Sequence, residues 1–269
     1  MLQTAKKAAI AAGEILKEHF GRIPEQAVRT KTKNDFLSFV DETSEQKIIS
    51  EIKSRFPDHS FLAEEGGAQN DGSPYLWIID PLDGTKNYIS GIPVFAISIA
   101  LQHQGELVLG VIYDPMRNEM FTAEKGRGAH LNDRPIRVSN KSRLADSLLA
   151  TGFPFKAKHF LPTYLAAFQE IFLNSIGMRR MGAAAIDMAY LAAGRFDGFW
   201  EIGLSAWDVA AGTVIIREAG GEVTDFWNGQ NFLFNNYLLA SNSRIHRELT
   251  HILTKHFPSY QPVYETGGR

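Results

Sequence analysis

The sequence predicts an α/β protein in two halves. Three observations predict it: helical apolar spacing near the N-terminus, a series of short β-rich runs from residue 75, and alternating helical and strand-like segments beyond SLLATGFP. MLQTAKKAAIAAGEILKEHF repeats apolar positions at helical spacing, while Glu14, Lys17, Glu18 and His19 interrupt any apolar core, so it reads as an amphipathic helix and not as a signal peptide. KTKNDFLSFVD sets Phe36 and the β-favouring pair Phe39-Val40 among charges, which predicts a hairpin or irregular strand. A second helix, marked by Ile48, Ile49, Ile52 and Phe56, is expected to start after Asp41 and stop at Pro57. YLWIID, VFAISIALQHQ, ELVLGVIYDP and NEMFTAEKG read as strands punctuated by Gly, Pro or Asn. Helices at about 158–173 and 183–194, then FDGFWE, AWDVAAGTVIIREAGG and LLASN, alternate helix with strand in the second half. No Pro/Gly/Ser-rich linker or internal repeat intervenes, so halves 1–142 and 143–269 are expected to pack as one unit. PSYQPVYETGGR reads as a frayed tail.

With 269 residues and 44% hydrophobic content, the chain is long enough for a sizeable core. A net charge of -2, with both signs interspersed, offers no basic surface for nucleic acid or anionic lipid, so the expected partner is a small ligand. The absence of cysteine excludes disulfides, thiolate metal sites and a cysteine nucleophile, and makes hard cations the first metals to consider. No segment approaches the roughly 18 uninterrupted apolar residues of a membrane span. A cytoplasmic location without membrane partners is expected.

The most informative stretch is WIIDPLDGTKNY. Trp77-Ile78-Ile79 is a short strand that Pro81 is expected to end, leaving Asp80 at its carboxyl end. Gly84 permits a tight turn, after which Thr85 is expected to cap a helix whose free N–H groups form an anion site. Asp80 and Asp83 as plain turn formers are one reading. The other is a cation between them, because two ionised carboxylates beside a buried strand repel unless one intervenes. FLAEEGG, with Glu64 and Glu65, is a second apolar run ending in acid. Asp208 stands at the head of AWDVAAGTVIIREAGG, where a simple helix N-terminal acid is the alternative. Each acid terminates or opens a hydrophobic element, so convergence on one cleft is expected.

These residues resemble the inositol monophosphatase family of Mg²⁺-dependent, lithium-sensitive sugar phosphatases. Its two signatures are similar to WIIDPLDGTKNY and WDVAAGTVIIREAGG, and the likeness extends through KTKNDF, LATGFPF and AAGRFDGFWE. The resemblance implies the layered αβαβα sandwich shared with fructose-1,6-bisphosphatases. It implies that Glu64, Asp80, Asp83 and Asp208, with the Leu82 carbonyl, hold Mg²⁺, and that the N–H groups of Gly84 and Thr85 receive phosphate. Such ions neutralise phosphate oxygens, acidify water and stabilise a leaving alkoxide. By the same resemblance Thr85 orients the attacking water for in-line hydrolysis, with Asp41 accepting from its hydroxyl. Asp41 as merely the N-cap of DETSEQKIISEI is an equal alternative. Lys31, with Lys33 as rival, matches a lysine near the metals, and a solvated charge is the alternative for both. Glu201 resembles the acid that bonds ring hydroxyls, with Gly182, Ala183 and Ala184 on the same side. Ala183 departs from relatives with Ser or Thr there, which removes one hydroxyl contact.

The activity implied is hydrolysis of myo-inositol monophosphate by a cytoplasmic homodimer. Fructose 1,6-bisphosphate, a 3'-phosphoadenosine 5'-phosphate type nucleotide and histidinol phosphate are alternatives on the same scaffold. A regulatory binding protein is the alternative of another class, since some bacterial relatives act on transcription complexes. His246, His251 and His256 lack metal-site spacing and are expected at the surface, Gly126-Arg127-Gly128 at a hairpin tip, and Ile186, Met188, Leu191 and Phe196 in the core.

Overall fold

Helix α1 (Leu2–His19) opens a computed structural model that describes residues 1–22, 28–30, 36–69 and 72–263. Strands β1 (Val28–Thr30) and β2 (Phe36–Ser38) pair antiparallel, as the expected hairpin requires. Helix α2 (Phe39–Lys53) follows at once, so Phe39-Val40 begin a helix and not a strand, and Asp41 is its third residue and not its N-cap. Asp41 and Glu42 in the first turn favour that start electrostatically. Next come β3 (Ser60–Ala63), β4 (Gly67–Gln69), β5 (Tyr75–Asp83), the short helix α3 (Thr85–Ile89), β6 (Ala96–His103) and β7 (Glu106–Asp114). Strands β8 (Glu119–Glu124), β9 (Ala129–Leu131) and β10 (Arg134–Ile136) complete an eight-stranded sheet in the order β10-β9-β8-β7-β6-β5-β3-β4.

The rest of the chain carries β11 (Leu148–Thr151), α4 (Leu161–Leu173), β12 (Gly177–Arg179), α5 (Ala184–Ala192), β13 (Gly198–Ile202) and α6 (Ala206–Glu218). It ends with β14 (Glu222–Thr224), α7 (Phe232–Asn235), β15 (Tyr237–Ser241) and α8 (His246–His256). The second sheet has five strands in the order β12-β11-β13-β15-β14.

Strand alternation builds the layers. On β5, Trp77 and Ile79 pack with α1 and α2, while Ile78 points the other way into a cluster with α5 and α6. On β13, Phe199 joins that same central cluster and Trp200 faces the opposite side, among Tyr164 of α4 and Leu249 and Leu253 of α8. The result is α1/α2, large sheet, α5/α6, small sheet, α4/α8: the five-layer αβαβα sandwich. Small residues let the middle layer close. A Cβ on Gly110 of β7 would lie 2.4 Å from the Ala211 carbonyl oxygen of α6, and one on Gly212 would lie 2.7 Å from Met188 of α5.

Pro81 does not end β5. The strand runs on to Asp83, and the ladder skips: Asp80 pairs with Ser98, and Asp83 with Ala96, so three steps on β5 face two on β6. Proline lacks the N–H that a regular ladder would use, and a bulge absorbs the mismatch. The consequence reaches the site. Residues three apart on a regular strand face opposite sides, but the extra step returns Asp83 to the side of Asp80 and Ile78, toward α5 and α6.

Two further expectations are corrected. His246 is buried, its ring nitrogens bonded to Thr224 Oγ1 and Ser241 Oγ at 2.9 Å each, because the hydroxyls satisfy both ends of the ring. Part of the expected tail is held in place: the Tyr237 hydroxyl donates to the Gln261 carbonyl at 2.9 Å and Val263 is buried. Residues 264–269 lie outside the described residues. Gly126-Arg127-Gly128 does turn between β8 and β9, with the Glu218 carboxylate accepting from the Gly126 and Gly128 N–H groups. Ile186, Met188, Leu191 and Phe196 lie in the central core.

Candidate active site

Four chain segments meet between the sheets: the bulge after Asp80, the turn after β3, the N-terminus of α5 and the N-terminus of α6. Asp80 is 1% exposed and its Oδ1 accepts the Leu82 N–H at 2.9 Å, which fixes the bulge. Asp83 Oδ2 accepts the Ala185 N–H at 2.6 Å at the start of α5, a charge-assisted bond at the positive end of a helix. Asp208 Oδ2 accepts the Ser205 N–H at 2.7 Å in a capping box, so the expected helix-start geometry is present. One carboxylate oxygen from each of Asp80, Asp83 and Asp208 lies within 4.8 Å of the others. Glu64 lies on the wall of the same cavity, about 300 Å³, together with Glu65, Asp83, Gly84, Thr85 and Asp208. It sits outside the close trio but is electrostatically tied to Asp208 and Asp80.

Burial and crowding together raise the proton affinity of these acids. Burial and then the Asp208 charge push Glu64 up to about 8. Burial and Asp208 raise Asp83 to about 7 despite the opposing α5 N–H groups. Asp80 is driven well above the carboxylate range by burial, Glu64 and Asp83. Like charges gathered out of water hold protons until a cation replaces them. An oxygen-only donor set with this much uncompensated negative charge fits a hard divalent ion.

Supports that the sequence did not signal hold the acids in place. Glu45 of α2, buried, accepts the N–H groups of Glu65 at 2.8 Å and Gly66 at 2.7 Å, pinning the turn that presents Glu64. Asn87 Nδ2 donates to Val94 O at 2.8 Å and Met181 O at 2.9 Å, tying α3 to the loop before α5. The Ser98 hydroxyl donates to Trp207 O at 3.1 Å, anchoring the α6 start to β6. These links span from 7 to 109 positions of sequence, and apart from polarity nothing local marks them.

The phosphate-side expectations are partly redrawn. Gly84, at φ 94°, is the N-cap and Thr85 the first residue of α3, so the left-handed turn belongs to glycine and Thr85 does not cap. The Thr85 hydroxyl donates to Leu82 O at 3.0 Å, using the carbonyl expected to face metal. Asp41 is buried nearby and adds to the negative field at Glu64. Glu201, at the end of β13, lines the main cavity and an inner chamber of about 100 Å³ with Gly182, Ala183 and Ala184. Burial, then Asp208, raises its carboxyl to about 8. Lys31 and Lys33 lie outside the described residues. The cations that do line the cavity are Lys86, Lys156 and Arg180, with Phe153 and Phe155 at its mouth. Lys86 Nζ lies 4.6 Å from the Phe155 ring centre, and the Arg180 guanidinium 5.2 Å. Both rim phenylalanines belong to the stretch LATGFPF.

Among the described residues no helix is long and apolar enough to cross a membrane. The profile of the inositol monophosphatase family matches residues 1–261. The protein named Nus factor SuhB in Pasteurella multocida is 44% identical over 250 residues, covering 93% of this chain and 94% of that protein. Inositol-1-monophosphatase of Mesorhizobium japonicum is 43% identical, covering 95% and 96%. The structure of inositol monophosphatase from Anabaena superposes with a TM-score of 0.85 at 39% identity, covering 97% of this chain and 96% of that one. Fold, both signatures and the gathered acids agree, and the chain belongs to the inositol monophosphatase family.

Proposed function

We propose that the protein is a Mg²⁺-dependent phosphomonoester hydrolase whose preferred substrate is myo-inositol 1-phosphate. The observation that carries this reading is the approach of Asp80, Asp83 and Asp208 to within 4.8 Å, at a cavity lined also by Glu64 and Glu201. Mg²⁺ bound there would neutralise phosphate oxygens and acidify water. Glu64, Asp80, Asp83, Asp208 and the Leu82 carbonyl would hold it. The chain's own contribution is positional. The first turn of α3 presents Gly84 and Thr85 to the phosphate, Thr85 and Asp41 orient the attacking water, and Glu201 takes leaving-group hydroxyls. In that role the Thr85 hydroxyl turns from Leu82 O toward the water. Gly182, Ala183 and Ala184 leave room for the polyol.

Turnover per KM on inositol 1-phosphate, fructose 1,6-bisphosphate, 3'-phosphoadenosine 5'-phosphate and histidinol phosphate tests the choice of substrate. Inositol 1-phosphate ranked last ends the specificity claim. Undiminished turnover in EDTA ends the metal claim. Asp83→Asn should lower kcat/KM by about 100-fold or more, since outer-shell changes alone commonly weaken metal sites 10- to 100-fold.

A second, regulatory reading is favoured by the name Nus factor carried by relatives at 44% identity, and it qualifies the expectation that no nucleic-acid machinery is involved. Asp83→Asn separates the two, because a partner interaction that survives lost hydrolysis is independent of the acids. A cytoplasmic, lithium-sensitive homodimer belongs to the same proposal. The exposed Phe172, Leu173 and Ile176 around the end of α4 support the dimer, and a monomeric mass in sedimentation would remove it.

A further inference from the structure

Buried acids in this protein are, as a rule, heavily bonded. Asp114 Oδ1 takes the Met116 and Arg117 N–H groups and its Oδ2 the Arg117 guanidinium. Asp197 takes Ser139, Lys141 and the Leu148 N–H. Asp225 takes Trp227 and Gly229 N–H groups and the Asn235 amide. Asp187 breaks the rule. It lies one turn into α5, is 1% exposed, and its Oδ1 has no hydrogen-bond partner among the described residues. Leaving a buried polar atom unsatisfied costs stability, and such an atom calls for a ligand or an explanation.

The residue lines the inner chamber of about 100 Å³ with Glu201, Asp83 and Arg180. Burial, and then the Glu201 and Asp83 charges, raise its proton affinity. Space in the chamber is protected by absent side chains. A Cβ on Gly152 would fall 1.9 Å from Glu201 Cδ, and Gly182, Ala183 and Ala184 contribute almost nothing to fill it. The chamber has room for small polar groups such as the hydroxyls of a polyol.

We propose that Asp187 is a further specificity-determining residue, which acts beside Glu201 on a hydroxyl of the leaving group. The inference rests on the phosphatase reading for its substrate but not for its geometry. A carboxyl can accept from a hydroxyl when ionised and donate to one when protonated, so either form closes the unpaired oxygen. Arg180, on the same wall, offsets the charge of the two acids.

The experiment compares the wild type with Asp187→Asn in three measurements. Saturation-transfer NMR with free myo-inositol should show binding that weakens about tenfold or more in the variant. Asp187→Glu, which pushes the carboxyl into the chamber, should block it too. Thermal unfolding of Asp187→Asn should match or exceed the wild type, because the change removes an unpaired buried acid. In turnover, KM for inositol 1-phosphate should rise about tenfold, with 4-nitrophenyl phosphate, which lacks hydroxyls, unaffected. Equal losses on both esters, unfolding of Asp187→Asn, unchanged inositol binding, or no inositol binding by the wild type would each overturn the inference. Asp187-dependent inositol binding without any phosphomonoester hydrolysis would instead sustain it and overturn the phosphatase reading.

Discussion

At Gly152 any side chain would compete with the Glu201 carboxyl for the same space. A Cβ there would fall 1.9 Å from Glu201 Cδ, the tip of a side chain rooted in a central strand, so the carboxyl has to move aside. Gly152→Ala should therefore displace the Glu201 carboxyl while leaving Asp80, Asp83 and Asp208 in place. The expected outcome is a KM for inositol 1-phosphate raised about tenfold or more, with the Mg²⁺ activation constant unchanged; an altered activation constant would mean the two halves of the site are not separable. How much of this was readable from the residues differs by type. Asp80, Asp83, Glu64 and Asp208 were legible because each acid adjoins an apolar run, an arrangement that is costly without a cation. Glu45, Asn87 and Asp187 were not, since a polar residue inside a helix looks the same in sequence whether it faces solvent or a buried site.

Among the elements, β5 and α6 do most to assemble the acids. β5 supplies two of them through a bulge at Pro81, and α6 supplies the third from its first turn. The contact of α6 with β7 depends on Gly110, where a Cβ would lie 2.4 Å from the Ala211 carbonyl oxygen. Backbone cannot yield as a side-chain tip can. Gly110→Ala should cost about 1–3 kcal/mol of stability, the usual range for overpacking, and should carry Asp208 away from Asp80 and Asp83. Denaturant unfolding and the Mg²⁺ concentration for half-maximal activity should thus move together. The sequence located these elements well, but it read Pro81 as a strand end, because loss of one ladder N–H is locally identical whether a strand stops or bulges.

For the whole molecule, the gathered carboxyls make stability depend on pH and cation. Glu64 at about 8 and Asp83 at about 7 hold protons in the folded state that the unfolded chain releases near the ordinary carboxylate range. The folded form binds more protons between those limits, so without metal its stability falls as pH rises from about 4.5 to about 8, then levels off. Mg²⁺ compensates the charge, and its binding competes with those protons. The increase in Tm caused by Mg²⁺ should accordingly be larger at pH 8 than at pH 6, as thermal unfolding with and without the ion will show. An increase that shrinks with pH would contradict the assignment of these acids to a cation.

The sequence by itself determined the chemistry available: oxygen ligands without thiols, acids beside apolar runs, small residues in the helices that must pack closely, and alternating strands that bury both faces. Those are local properties, set by residue type and spacing. The tertiary structure alone decided that Asp83 turns to the same side as Asp80, that Glu45 and Asn87 brace the site, and that Asp187 is left unpaired in a chamber. Each depends on where distant segments meet, and burial, field and hydrogen-bond satisfaction exist only once the layers have closed.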